Sequence, residues 1–186
     1  FPAEATTALR QEDRTMTREA IGDATPAEIR AYKTVLGSMI HDIGNLHGLF
    51  GPPARIVSAE IWREGSGITT VLEYPGDVRC AATWVDLPEL WDFRETVEVY
   101  GSRERVIMSF PTGFAIGLPT EVTVQDIDPD GTPWKKQVVV SHESAFLREI
   151  VHFHDCIVEG REHETSGADA IADIALVRDI ILATRK

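Results

Sequence analysis

The chain has 186 residues, 43% of them hydrophobic and 26% charged, and carries a formal net charge of −12. That is an ordinary globular composition, and a chain of this length buries roughly 70% of its unfolded surface, enough for one good core. An acidic surface repels phosphate backbones, and without any basic run the sequence excludes nucleic acid and an anionic membrane as expected partners.

Thr6 to Ile21 is polar, with Leu9, Met16, Ala20 and Ile21 at loose helical spacing, and reads as a weakly amphipathic helix ended by Gly22-Asp23. Residues 1–24 are therefore expected to form a helical extension or linker. A clean start follows: Thr25 caps, Pro26 suits the first helical position and Glu28 brings early negative charge. Ile29, Tyr32, Leu36, Ile40, Ile43, Leu46 and Phe50 make one apolar stripe. They predict a helix from Pro26 to about Phe50, with an interruption near Gly37-Ser38 and a stop at Gly51-Pro52-Pro53.

The period then changes to two. Strands are expected at 56–62, 68–74, 78–85, 93–100, 105–110, 121–127 and 134–141, separated by turn signals such as Pro75-Gly76-Asp77 and Asp128-Pro129-Asp130-Gly131. Pro111 to Pro119 reads as a loop. Phe146, Ile150, Phe153 and Ile157 form a helical stripe ended by Gly160, and Ala170, Ile174, Val177 and Ile181, with neighbouring Ile171 and Ile180, form another. Helices, about seven strands on short turns, then helices predict an α+β two-layer sandwich: a largely antiparallel mixed sheet with helices on one face.

Cys80 and Cys156 are the only cysteines and form no CxxC pair, so free buried thiols in a reducing cytoplasm are expected. No stretch approaches the ~18 apolar residues of a membrane span. No basic region followed by an apolar run opens the chain, which begins at Phe1 rather than Met. No βαβ unit, no G-x-G-x-x-G after a strand and no P-loop is present; Gly44, Gly48 and Gly51 have the wrong spacing and lie in a helical pattern.

The helix from Pro26 to Phe50 carries the main constellation. Gly37, His41, Asn45 and Gly48 lie three or four residues apart and share a face, with Gly44 beside them. Each glycine costs a helix ~1 kcal/mol relative to alanine, so three of them invite an explanation. One reading is a cleft wall that presents His41 to a ligand. The other is a smooth face for a packed helix or strand, with His41 bonded to a carbonyl. His152, His154, Asp155 and Cys156 resemble metal ligands in type, but only His152 with Asp155 or Cys156 shares a helix face, so no metal site is expected. His47 and His163 have no partners in sequence. No G-x-S-x-G elbow is present. Trp62, Trp84, Trp91 and Trp134 sit in or beside strands and read as core or interface residues, with Trp84 or Trp91 also suited to stacking on a sugar.

Three stretches together carry a family resemblance. Ser38-Met39-Ile40-His41-Asp42-Ile43, followed by Leu49-Phe50-Gly51-Pro52, resembles a D-x-x-x-H-D helix ending in G-x-P. Val71 to Gly76 and Val97-Glu98-Val99-Tyr100-Gly101-Ser102 resemble a strand pair with its V-x-G-(ST) end. Ala145 to Glu149, continuing through His152-Phe153-His154-Asp155-Cys156-Ile157 to Glu159-Gly160-Arg161, resembles a penultimate helix, and Gly167-Ala168-Asp169-Ala170 opens the last one. In this order they resemble the C-terminal domain of the Gfo/Idh/MocA family of NAD(P)-dependent oxidoreductases, placed here at residues 25–186.

The resemblance implies a half that binds a sugar or polyol and forms a homodimer through its sheet. It also implies a Rossmann half, absent from this chain, that holds NAD or NADP; none is expected to bind to this chain, which would not be catalytic alone. His41 matches the family histidine that handles the hydroxyl proton. The aspartate that orients it in the family is replaced by Gly37, and another frequent aspartate is replaced by Gly44. Asp42 and Asn45 remain as substrate-binding candidates, although Asp42 points about 100° away from His41 around the helix. The alternative is a non-catalytic dimerising α+β module that binds a small ligand or a protein.

Overall fold

The computed structural model describes residues 3–90 and 92–185, with side chains in the first helix from Thr6 onward. Phe1 and Trp91, named above, lie outside the described residues. The chain divides into two compact units, Phe1–Leu87 with Thr165–Lys186, and Pro88–Glu164.

The first unit contains α1 (Ala3–Ile21), α2 (Pro26–Thr34), α3 (Ile40–Phe50), β1 (Arg55–Trp62), β2 (Gly67–Tyr74), β3 (Val78–Val85) and a C-terminal helix, α5 (Gly167–Ala183). Thr25 caps α2 reciprocally with Glu28: the Glu28 N–H donates to Thr25 Oγ1 at 3.2 Å and the Thr25 N–H donates to Glu28 Oε2 at 2.6 Å. Between α2 and α3 the helix widens into a π turn at Val35–Met39, where the interruption near Gly37-Ser38 is expected. Val35, Met39 and Ile43 are all buried and spaced by four. In a plain α-helix each step of four overshoots a full turn by about 40°; the wider turn absorbs that drift and keeps one face on the core.

β1, β2 and β3 form an antiparallel sheet with β2 central and a bulge in β1 between Ile56 and Ser58. Ile68, Thr70, Leu72 and Tyr74 of β2 are buried, and Val78, Cys80, Ala82 and Trp84 of β3 pack against the same core; the alternate β3 residues Arg79, Ala81, Thr83 and Val85 are exposed. The core thus lies between one sheet face and α2, α3 and α5. Gly65, in the turn between β1 and β2, has φ +86° and lies so close to α2 that a Cβ would meet the Ala27 carbonyl oxygen at 2.5 Å. Only glycine satisfies both constraints.

The second unit contains β4 (Glu95–Tyr100), β5 (Arg105–Phe110), β6 (Glu121–Ile127), β7 (Pro133–Val139) and α4 (Ala145–Glu159). The four strands pair in sequence order, all antiparallel. One row across the sheet is Val97, Met108, Val122 and Val138, and the neighbouring row on that face starts Val99, Val106, Val124; the opposite face carries Glu98, Ile107, Thr123 and Gln137. Cys156 is the only described residue of this unit that is buried. The α4 stripe Phe146, Ile150, Phe153 and Ile157 is exposed, Ile157 to 66%.

The α+β class and the seven strands follow the sequence pattern. Every pairing is antiparallel, and the strands divide into sheets of three and four across a Pro88-containing connection that lacks one backbone donor. On α5 the expected stripe is met in part. Val177, Ile180 and Ile181 are buried, while Ile171 and Ile174 are exposed and Asp173 takes a place on the buried side. This helix is apolar nearly all round, so periodicity does not select a face.

Candidate functional site

α3 presents two functional edges. Gly37, Ser38, His41, Asn45 and Gly48 are all exposed, and no described residue bonds to the His41 ring or the Asn45 amide. A Cβ at Gly37 or Gly48 would meet no atom within 4 Å. The glycines therefore relieve no crowding from the described residues; the face is open from the π turn to Gly48. His41 sits two residues after that turn, a helix irregularity that recurs at functional sites.

Asp42 does not join this face. It is half-buried, and its charge reaches Cys80 on β3, where burial first, and Asp42 second, push the thiol pKa up. A general base needs a hydrogen-bond partner to fix its tautomer. On the described residues, His41 has none, and Gly37 supplies no carboxylate.

The other edge holds a pair that sequence reading misses. His47 Nδ1 lies 2.8 Å from Asp173 Oδ1 on α5, with side chains 23% and 10% exposed. Both line a cavity of about 270 Å³ together with Ile43, Pro53, Tyr74 and Leu176. Tyr74 is 2% exposed, and its hydroxyl is pushed up to about 12, chiefly by burial, then by the charges of Cys80 and Asp173. Nothing local predicts a partner 126 positions away. The one available signal is an aspartate inside an apolar helix, which needs a buried partner.

In the second unit His152 Nε2 and Cys156 Sγ, one turn apart on α4, are 3.5 Å apart, and the Glu164 N–H donates to the same ring nitrogen. Among the described residues no group of three or more His, Cys, Asp or Glu is placed to hold a metal ion. Both cysteines are free, Cys156 buried and Cys80 half-buried. Trp84 packs against the core of the first unit. No described helix is long and apolar enough to cross a membrane.

No family model matches the chain, and no curated protein matches it. Solved structures do. An oxidoreductase from Bacillus cereus superposes with a TM-score of 0.63 at 17% identity, over 81% of this chain and 57% of its own. A UDP-N-acetylglucosamine 3-dehydrogenase from Acidithiobacillus ferrooxidans gives 0.62 at 13%, over 78% and 44%. A 3-ketoreductase from Actinomadura kijaniata, in complex with TDP-benzene and NADP, gives 0.56 at 16%, over 82% and 46%. These likenesses establish a fold shared with oxidoreductases, and the chain spans about half the length of those structures.

Proposed function

We propose that this chain is the substrate-binding and dimerisation half of an NAD(P)-dependent sugar- or polyol-type oxidoreductase of the Gfo/Idh/MocA kind. In this reading residues 25–186 are the C-terminal-type domain, residues 1–24 a helical extension, and the nucleotide-binding half is supplied by residues outside these 186. The observation that carries the reading is the open, glycine-lined face that exposes His41 on a fold shared with oxidoreductases. One of those neighbours acts on a UDP-linked sugar and another is bound to NADP, which supports a sugar substrate and a nicotinamide cofactor for the whole protein.

The described residues themselves do not fit a dinucleotide. All strand pairings are antiparallel, so no helix N-terminus follows a parallel strand to cradle a pyrophosphate. This chain's own contribution is on the proton side. His41 takes or returns the proton of the substrate hydroxyl, Asn45 bonds a neighbouring hydroxyl from the same face, and Asp42 supports substrate from the adjacent edge. The carboxylate that orients His41 comes from outside the helix, since Gly37 cannot supply it. The homodimer is supported by the second unit, where the α4 stripe Phe146, Ile150, Phe153 and Ile157 is exposed.

A second reading, a non-catalytic dimerising module that binds a small ligand or a protein, is favoured by the missing carboxylate at Gly37. Calorimetric titration of this chain with NAD and with NADP tests its assignment as a half-enzyme. Neither cofactor is expected to bind; a stoichiometric sub-millimolar complex would overturn the assignment.

A further inference from the structure

One row of the second unit's sheet crosses all four strands. Tyr100 on β4, Arg105 on β5, Gln125 on β6 and Lys135 on β7 are register partners in turn. Register partners point to one face of a sheet, so the four side chains stand side by side. Their face is the one that carries Glu98, Ile107, Thr123 and Gln137, opposite the apolar row of Val97, Met108, Val122 and Val138. All four line an open cavity of about 670 Å³, within the ~300–1,000 Å³ of ligand pockets.

Arg105 is half-buried and held from both sides. Its Nε donates to Gln125 Oε1 at 2.8 Å, its Nη2 donates to the same oxygen, and its Cζ lies 5.9 Å from the centre of the Tyr100 ring. A guanidinium only donates, so the Gln125 carbonyl faces it and the Gln125 amide nitrogen is turned away from it. From β5 to β7 the row therefore offers donors: the guanidinium, the Gln125 amide and the Lys135 ammonium. Neither Arg105 nor Lys135 forms an ion pair with a described carboxylate, although the chain carries a net charge of −12. The nearby acids are placed elsewhere. Asp126 lies on the opposite face, where it accepts the Ile127 N–H, and Glu98 accepts from the Tyr100 hydroxyl. Glu104 lies in the turn against Gly101, and Arg103 in the same turn adds a third cation, donating to the Ile127 carbonyl at 2.9 Å.

The two cations of the row stand two strands apart, roughly 10 Å at the backbone, with a neutral amide between them. A single phosphate or carboxylate concentrates its charge at one point and is matched by one of them. Two carboxylates joined by a short carbon chain match both. We propose that this row binds a small dicarboxylate, with one carboxylate on the Arg105 guanidinium, the other on the Lys135 ammonium and the carbon chain across Gln125. The planar fork of an arginine fits a carboxylate. Tyr100 and Gln125 hold that fork in place before the ligand arrives, which lowers the cost of ordering it. The site lies wholly in the second unit and does not depend on the oxidoreductase reading.

The test is an amide-resolved NMR titration of the whole chain with sodium glutarate, with sodium butyrate and sodium chloride at matched ionic strength as controls. Saturable shifts at Arg105, Gln125 and Lys135 are expected at millimolar glutarate. Butyrate, which has one carboxylate, should bind at least about fivefold more weakly, the loss of one exposed ion pair. Lys135 is exposed, and Lys135→Gln should weaken glutarate by about the same factor. Lys136→Gln removes the same charge from the opposite face of β7, where Lys136 pairs with Val124, and should leave the affinity unchanged. Butyrate binding as well as glutarate, no saturation with glutarate, equal losses in the two lysine variants, or tighter binding of inorganic pyrophosphate at the same amides would each overturn the proposal.

Discussion

His47 on α3 and Asp173 on α5 meet at 2.8 Å across 126 positions of sequence, and this bond helps join α3 to the C-terminal helix. Removing a partner from a buried carboxylate costs more than removing both groups. His47→Leu should destabilise the protein by about 1–3 kcal/mol. His47→Leu combined with Asp173→Leu should be less destabilised than His47→Leu alone. Urea unfolding of the three proteins measures this. A double variant that loses the sum of both single losses would show that the two residues do not act as a pair.

The Thr25–Glu28 cap gives a pH dependence. Burial works against the Glu28 carboxylate, but the Thr25 N–H and the Arg185 guanidinium outweigh it and hold its pKa below the usual carboxylate value. A lowered folded-state pKa contributes stability above the unfolded value and loses it as pH falls through the folded one. Glu28→Gln should therefore be destabilised relative to wild type at pH 7, with the gap closing as both are titrated into strong acid. A gap that stays constant down to acid unfolding would remove the ionised cap from the account.

Gly65→Ala should be among the most damaging single-methyl changes in the chain. It places a side chain at positive φ and drives it into the Ala27 carbonyl. A loss of about 2 kcal/mol or more is expected. Gly48→Ala, on the open face of α3, is the control and should be neutral or slightly stabilising. Thermal unfolding of both variants separates the two environments.

The exposed α4 stripe predicts association. Wild-type chain should run as a dimer in light scattering at micromolar concentration. Phe153→Glu with Ile157→Glu, which puts charges in the exposed α4 stripe, should shift it toward monomer without unfolding the first unit. A wild-type chain that is monomeric under these conditions contradicts the dimer.

Local signals were legible where a residue type has one job. Thr25-Pro26 and Glu28 mark the start of α2, the Gly37-Ser38 break falls in the π turn, and the alternation in residues 78–85 gives both faces of β3. Long-range placement was not legible. Most residues around Asp173 are apolar, so its buried orientation and its bond to His47 emerge only when α3 and α5 pack. The division of the strands into sheets of three and four was not legible either, since the alternation is the same in both sets. Asp42 illustrates the limit of motif reading: adjacent to His41 in sequence, it is half-buried while His41 is exposed.

The central claim is that His41 is a proton-transfer residue on an open face. Its most direct test is steady-state kinetics of His41→Ala in the protein that carries both this domain and its nucleotide-binding half, with the melting temperature measured alongside. The account predicts a fall in turnover of at least ~100-fold, with the melting temperature barely moved because the His41 ring is exposed and bonds to no described residue. Wild-type turnover in the variant would contradict it and remove His41 from the mechanism.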